Sequence, residues 1–225
     1  MESFLSPIGM AFIILGVLLL FCMFAFYRFL QYRVVIEPMI PRVIRINFTQ
    51  KGTFKNIIKH LRTPFALEIA LDQFGTEMIY YVIVPSKHID EVRQSLPAPG
   101  EIVNDYEMYT SEGVHRVFTI VAKEELQSFS AMIDICENLD FSPVNEIGES
   151  AVVQWTVKRK ENGKYAVTIR LLVSSSTDIQ TEEIIRSIQC SFPQTYVLEE
   201  ITEGDYLYEM TFRKFNEAYE ILLDE

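Results

Sequence analysis

Three histidines, His60, His88 and His115, are the side chains in this sequence best suited to proton transfer or metal binding. Metal sites draw on His, Cys and carboxylates at short, regular spacings. These three stand far apart and no Cys-x-x-Cys pair accompanies them, so ordinary surface or half-buried histidines are expected. The acidic pairs Glu124-Glu125, Glu182-Glu183 and Glu199-Glu200 could divide acid and base roles. Each is better placed in a helix first turn, which favours anions, or on the solvated side of an edge strand. The only Gly-Lys pair, Gly163-Lys164, is followed by Tyr165, so it does not complete a phosphate-binding loop. Neither G-x-G-x-x-G nor G-x-S-x-G occurs, which removes the dinucleotide and nucleophile-elbow signatures. Trp155, the sole tryptophan, sits beside Gln154 on an expected strand and reads as core rather than as a ligand platform. The expectation is a non-enzymatic chain with no catalytic, cofactor-binding or metal-binding residue.

The elements that would have to position any chemistry begin with Ile8–Tyr27, IGMAFIILGVLLLFCMFAFY, which carries no charge. Twenty helical residues span about 30 Å, the thickness of a bilayer core. The segment therefore reads as a single transmembrane anchor (residues 1–27), with Ile8, Phe12, Ile13, Leu15, Leu18, Phe21, Phe24 and Tyr27 in lipid. A cleaved signal peptide would want a basic start and a small-x-small site, and MESFLSP and FAFYRFL supply neither. Arg28, Arg33, Arg42 and Arg45 follow the run and no Lys or Arg precedes it. The positive-inside rule then places the N-terminus outside and the remainder in the cytoplasm of an inner or cell membrane. Arg28, Tyr32 and Arg33 are the expected interface residues. Cys22 lies in the apolar run, and Cys136 and Cys190 stand alone, so no disulfide framework is suggested.

From Asn47 onward, sixteen Lys and Arg stand against twenty-nine Asp and Glu, a net charge of −13. Such a balance excludes a broad nucleic-acid surface, which needs cations to neutralise phosphates. Residues 28–52 form a basic neck, where Pro38 and Pro41 enforce extended chain, followed by a first strand at VIRINF (43–48).

Beyond the neck the chain reads as a unit stated twice, over 53–122 and 123–215. In the first, TFKNIIKHL (53–61) is helical and PFALEIAL (64–71) and EMIYYVIVP (77–85) form a hairpin. SKHIDEVRQSL (86–96) is a helix with Ser86 as its cap, and EIVNDYEMY (101–109) pairs with GVHRVFTIVA (113–122). In the second, KEELQSFSAMIDICENL (123–139) is helical. SAVVQWTVKRK (150–160) and KYAVTIRLLVS (164–174) form a hairpin over Asn162-Gly163, a strong turn signal. TDIQTEEIIRSIQC (177–190) is a helix opened by Thr177 or Asp178, and QTYVLEEI (194–201) and DYLYEMTFRKF (205–215) are the last strands. The expected fold is thus α+β: a transmembrane helix followed by two duplicated α-β-β-α-β-β units packed together. The tail, 216–225, is expected to be a short helix whose Tyr219, Leu222 and Leu223 either dock back or contact a partner.

Residues 43–48, LEIALDQFGTEMIYYVIVPSKHIDEVRQ (67–94) and above all EIGESAVVQWTV (146–157) resemble the membrane-proximal N-terminal region of type IV secretion and conjugation DNA-binding ATPases, of the coupling-protein kind. Gly148, Glu149, Ala151 and Gln154 match that family's G-E-x-A-x-x-Q stretch, and Ser150 stands where another glycine is common. In the family an ATPase domain follows, whereas these residues carry no phosphate-binding motif. The resemblance implies the anchoring and docking half without the motor, as a stand-alone subunit or a truncated relic.

The function expected is a membrane-anchored scaffold or adaptor that docks a cytoplasmic P-loop translocase through strand edges or the apolar tail. Homo-oligomerisation is open and no direct nucleic-acid contact is expected. A tethered sensor holding a small molecule between the two units is the alternative, and an enzyme of unrecognised type the third reading.

Overall fold

The computed structural model describes residues 15–26, 41–46, 61, 64–71, 78–96, 100–104, 106, 108–109, 113–122, 144, 149–160, 162–192, 196–202 and 206–223. The chain divides into two compact units, Met1–Ile40 and Pro41–Glu225.

In the first unit a helix, α1, covers residues 15–26. Its Leu15, Leu18, Phe21 and Phe24 are exposed. The expected membrane span is corrected here: among the described residues no helix is long and apolar enough to cross a membrane. At 1.5 Å per residue the described part of α1 is about 18 Å long. The single-pass placement and the orientation drawn from the flanking arginines fall with it. Ile8, Phe12, Ile13, Tyr27, Arg28, Tyr32 and Arg33 lie outside the described residues.

The second unit is built on one sheet. Its strands are β1 (Pro41–Ile46), β2 (Phe65–Leu71), β3 (Met78–Pro85), β4 (Glu101–Val103), β5 (Val114–Ala122), β6 (Ser150–Arg159), β7 (Tyr165–Ser175), β8 (Tyr196–Glu200) and β9 (Ile221–Leu223). The nine strands run β4-β1-β3-β2-β6-β7-β5-β8, with β9 also on β7, and every pairing is antiparallel. The expectation of two duplicated α-β-β-α-β-β units packed together is therefore overturned by one continuous antiparallel sheet. Residues 101–103 pair with β1 rather than with 113–122, and β5 pairs with β7 and β8. Gly113 takes a positive φ of +128° just before β5, but non-local pairing decides the strand's neighbours.

Read outward from β2 and β6, the two halves have the same order, β2-β3-β1-β4 and β6-β7-β5-β8. Each places its third strand between its first and second, as in a split β-α-β arrangement. The halves meet where Phe65–Ala70 pairs with Val152–Val157, so no cleft separates them. The hairpin between β6 and β7 turns on Gly163 at φ +85°, and the Asn162 side chain accepts from the Lys164 N–H at 3.1 Å. An αL position of this kind suits glycine because it has no Cβ.

Among the described residues two helices cover one face of the sheet. Helix α2 (Ile89–Ser95) follows a 3₁₀ turn at Ser86–His88, and helix α3 (Asp178–Ser191) is capped by the Thr177 side chain, which accepts from Gln180 N–H. Their Val92, Ile184, Ile185 and Ile188 pack on Ile69, Val82, Val153, Trp155, Ile169 and Leu171. The expected strand over 205–215 is instead a short helix, α4 (Tyr206–Thr211). It leads a C-terminal strap across the opposite face, where Met210 packs with Ala66, Ala70, Ile79, Val152 and Leu172. The expected tail helix is a 3₁₀ turn, Glu217–Tyr219, followed by β9. The expected helices over 53–61 and 123–139 lie outside the described residues, apart from Leu61, which is buried.

Candidate functional site

The face under the strap carries polar residues in register across the whole sheet. Glu101, Arg45, Tyr81, Glu68, Gln154, Arg170, Thr119 and Glu199 are successive cross-strand partners from β4 to β8. Directly opposed residues share a face, so these eight side chains form one row. At its centre Glu68, Gln154, Thr119 and Arg170 are at most 1% exposed.

Glu68 is saturated. Its Oε1 accepts from Gln154 Nε2 at 2.7 Å and Arg213 Nε at 3.0 Å. Its Oε2 accepts from the Tyr106 hydroxyl at 2.8 Å and Arg213 Nη2 at 3.2 Å. A carboxylate offers about four lone-pair sites, so this one has none left for a substrate proton or a metal. Burial, followed by the Glu68 carboxylate, raises the Tyr106 phenol well above its ordinary 10.0, and its ring stacks on Tyr81 with centroids 4.1 Å apart.

Arg213 reaches Glu68 by way of an unusual backbone. Its φ is +50°, a region that favours glycine. It occupies the C′ position of a Schellman motif closing α4, with Arg213 N–H on Met210 O at 3.0 Å and Lys214 N–H on Glu209 O at 2.8 Å. Glycine would suit the backbone better, but only a long cation satisfies the buried carboxylate. Further along the row, Gln154 Nε2 also donates to Met210 O at 2.9 Å. Arg170 donates through Nη1 to Gln154 Oε1 at 3.4 Å and through Nη2 to Lys214 O, with Glu209 Oε2 3.7 Å away. Burial lowers the Arg170 pKa, and Glu209 opposes that shift. Its Nε has no hydrogen-bond partner among the described residues. The strap is thus fastened to the sheet by side chains from three strands.

A serine–histidine pair lies on the same face. His115 Nδ1 is 2.8 Å from Ser174 Oγ, and desolvation lowers the histidine pKa. Nucleophilic catalysis needs an accessible hydroxyl, and Ser174 is fully buried within β7. The pair serves packing, with Tyr109 edge-on to the imidazole. His88 sits half-buried in the 3₁₀ turn with Nδ1 3.6 Å from Glu91, and His60 is outside the described residues. Among the described residues no three His, Cys, Asp or Glu side chains group as a metal site would require.

The acidic pairs separate. Glu182 on α3 and Glu200 on β8 both engage Arg116 of β5, and that hydrogen bond lowers the Glu200 pKa. Glu199 ends the polar row, exposed on β8; Glu124 and Glu125 are outside the described residues. Trp155 is buried in the helix-side core. Of the expected partner-contact residues, Leu223 is buried in that core, Tyr219 is half-buried and Leu222 is 46% exposed. The polar row escaped the sequence reading altogether. Its one local signal was a charge inside each of two apolar strands, Glu68 in FALEIAL and Arg170 in VTIRLLV.

No family model, no curated protein and no solved structure matches the chain.

Proposed function

We propose that the chain is a non-enzymatic adaptor that holds a protein partner along the open edges of its sheet. The observation that carries this reading is where strand pairing stops among the described residues: strands pair continuously from β4 to β8, β9 lies on β7, and no described strand lies outside β4 or β8. An unpaired edge is a template for an added strand. The polar face favours the same reading, because its carboxylate is used up in fastening the strap rather than held ready for chemistry. The partner class implied by the family resemblance is a DNA-translocating P-loop ATPase. The sensor alternative needed a cleft between two units, and β2 pairs with β6 along that boundary.

A photo-crosslinking amino acid at Leu198 of β8 or Ile102 of β4, introduced in the native host, tests this. A discrete protein adduct is expected at one of these positions and none at the helix-face control Arg93. Labelling that is diffuse, or absent at both edges, would remove the adaptor reading.

A further inference from the structure

We infer that β8 is the edge that is used, and that it takes an extended basic strand of the partner protein. The inference rests on the adaptor reading and specifies the chemistry of what is held. Ile201 N–H donates to Val117 O at 2.8 Å, which fixes the backbone phase of this strand. Antiparallel pairing alternates inward and outward residues, so Val197 and Glu199 face β5, while Leu198 and Glu200 turn their N–H and C=O to the open side. Among the described residues no strand lies beyond them. At five residues, β8 offers a longer template than the three-residue β4.

The side chains select the partner's charge. Glu199 projects on the polar face and is exposed with no cation beside it among the described residues. Glu200 projects on the helix face, where it and Glu182 share the single guanidinium of Arg116. Two carboxylates thus share one cation on the helix face, where Leu198 is half-buried two residues before Glu200, and Glu199 adds an exposed carboxylate on the other face. A second copy of this chain would bring the same carboxylates and a further net charge of −11, which disfavours self-pairing. An alternating strand with Lys or Arg opposite the exposed Glu199 and an apolar residue opposite Leu198 is complementary on both faces, since Arg116 already holds Glu200.

The test is fluorescence anisotropy with a labelled alternating Lys–Val peptide, an alternating Glu–Val peptide and a Lys–Pro peptide that cannot add to a sheet. The Lys–Val peptide is expected to bind and to weaken as salt is raised. Glu199→Lys should weaken it about tenfold, and Glu101→Lys on β4 should leave it unchanged, with both variants retaining the parent's melting temperature. Equal binding of the Glu–Val or Lys–Pro peptide, or indifference to Glu199→Lys, overturns the inference. If crosslinks form at Leu198 yet no Lys–Val peptide binds, the charge assignment fails and the adaptor reading stands. If neither occurs, both fail.

Discussion

The two faces of the sheet are held by different physics. On the helix side, branched aliphatic side chains and Trp155 interlock with α2 and α3, and stability there comes from apolar area removed from water. On the strap side the apolar residues are fewer and several are small, including Ala66 and Ala70, and the row centred on Glu68 does the fastening. The first kind of packing is graded and tolerates change in proportion to the volume lost. The second is all-or-none, because a buried ion stripped of its partner is worse than no ion at all. The lesson is that charge was not placed here for gross stability; it fixes which segment lies over which strands.

The comparison breaks most sharply at Glu68. Glu68→Leu strands the Arg213 guanidinium and should cost about 4 kcal/mol in urea denaturation. Adding Arg213→Leu should recover a large part of that loss, and two fully additive losses would refute the ion-pair account. On the other face Leu171→Ala should cost about 3 kcal/mol, set by the cavity left behind, with no partner substitution that restores it.

Tyr106→Phe is smaller, about 1–2 kcal/mol, since Glu68 keeps three donors. It also carries a pH signature. The folded phenol holds its proton above the ordinary 10.0, so its contribution is complete below pH 10 and is lost as the pH climbs from there through the folded value. The parent should weaken along that alkaline limb, and Tyr106→Phe should flatten it. Arg213→Gly and Arg213→Ala both lose the ion pair, so their difference isolates the backbone: glycine should be the more stable by about 1 kcal/mol at φ +50°. Trp155→Phe should be the mildest, below about 1.5 kcal/mol, because the indole N–H has no partner to lose among the described residues. Thermal melts of the last two variants resolve both.

What the sequence reveals here is local. The apolar runs at 64–71, 77–85, 150–160 and 164–174 lie where β2, β3, β6 and β7 form, and Asn162-Gly163 sits at a turn. Periodicity, propensity and turn chemistry act within a few residues, so each was visible in a short window. Strand partners are chosen by burial over long separations, which explains why 101–103 and 113–122 were wrongly matched. The segment DYLYEMTFRKF shows the limit of alternation: Tyr206, Tyr208, Met210 and Phe212 read as a strand, yet one turn of helix buries Met210 and leaves Phe212 exposed. The membrane reading failed in another way. It rests on hydropathy over 8–27, whereas among the described residues no helix is long and apolar enough to cross a membrane. The polar row was illegible because Glu68 and Arg213 are 145 residues apart, and no short-range pattern links them.

That separation has a consequence for biosynthesis. A ribosome delivers the Glu68 strand long before the arginine that neutralises it, and domains tend to fold as their segments emerge. Until position 213 is translated, the nascent sheet must either leave that carboxylate wet or bury it without a counter-ion, so completion of this face waits for a segment 145 residues downstream.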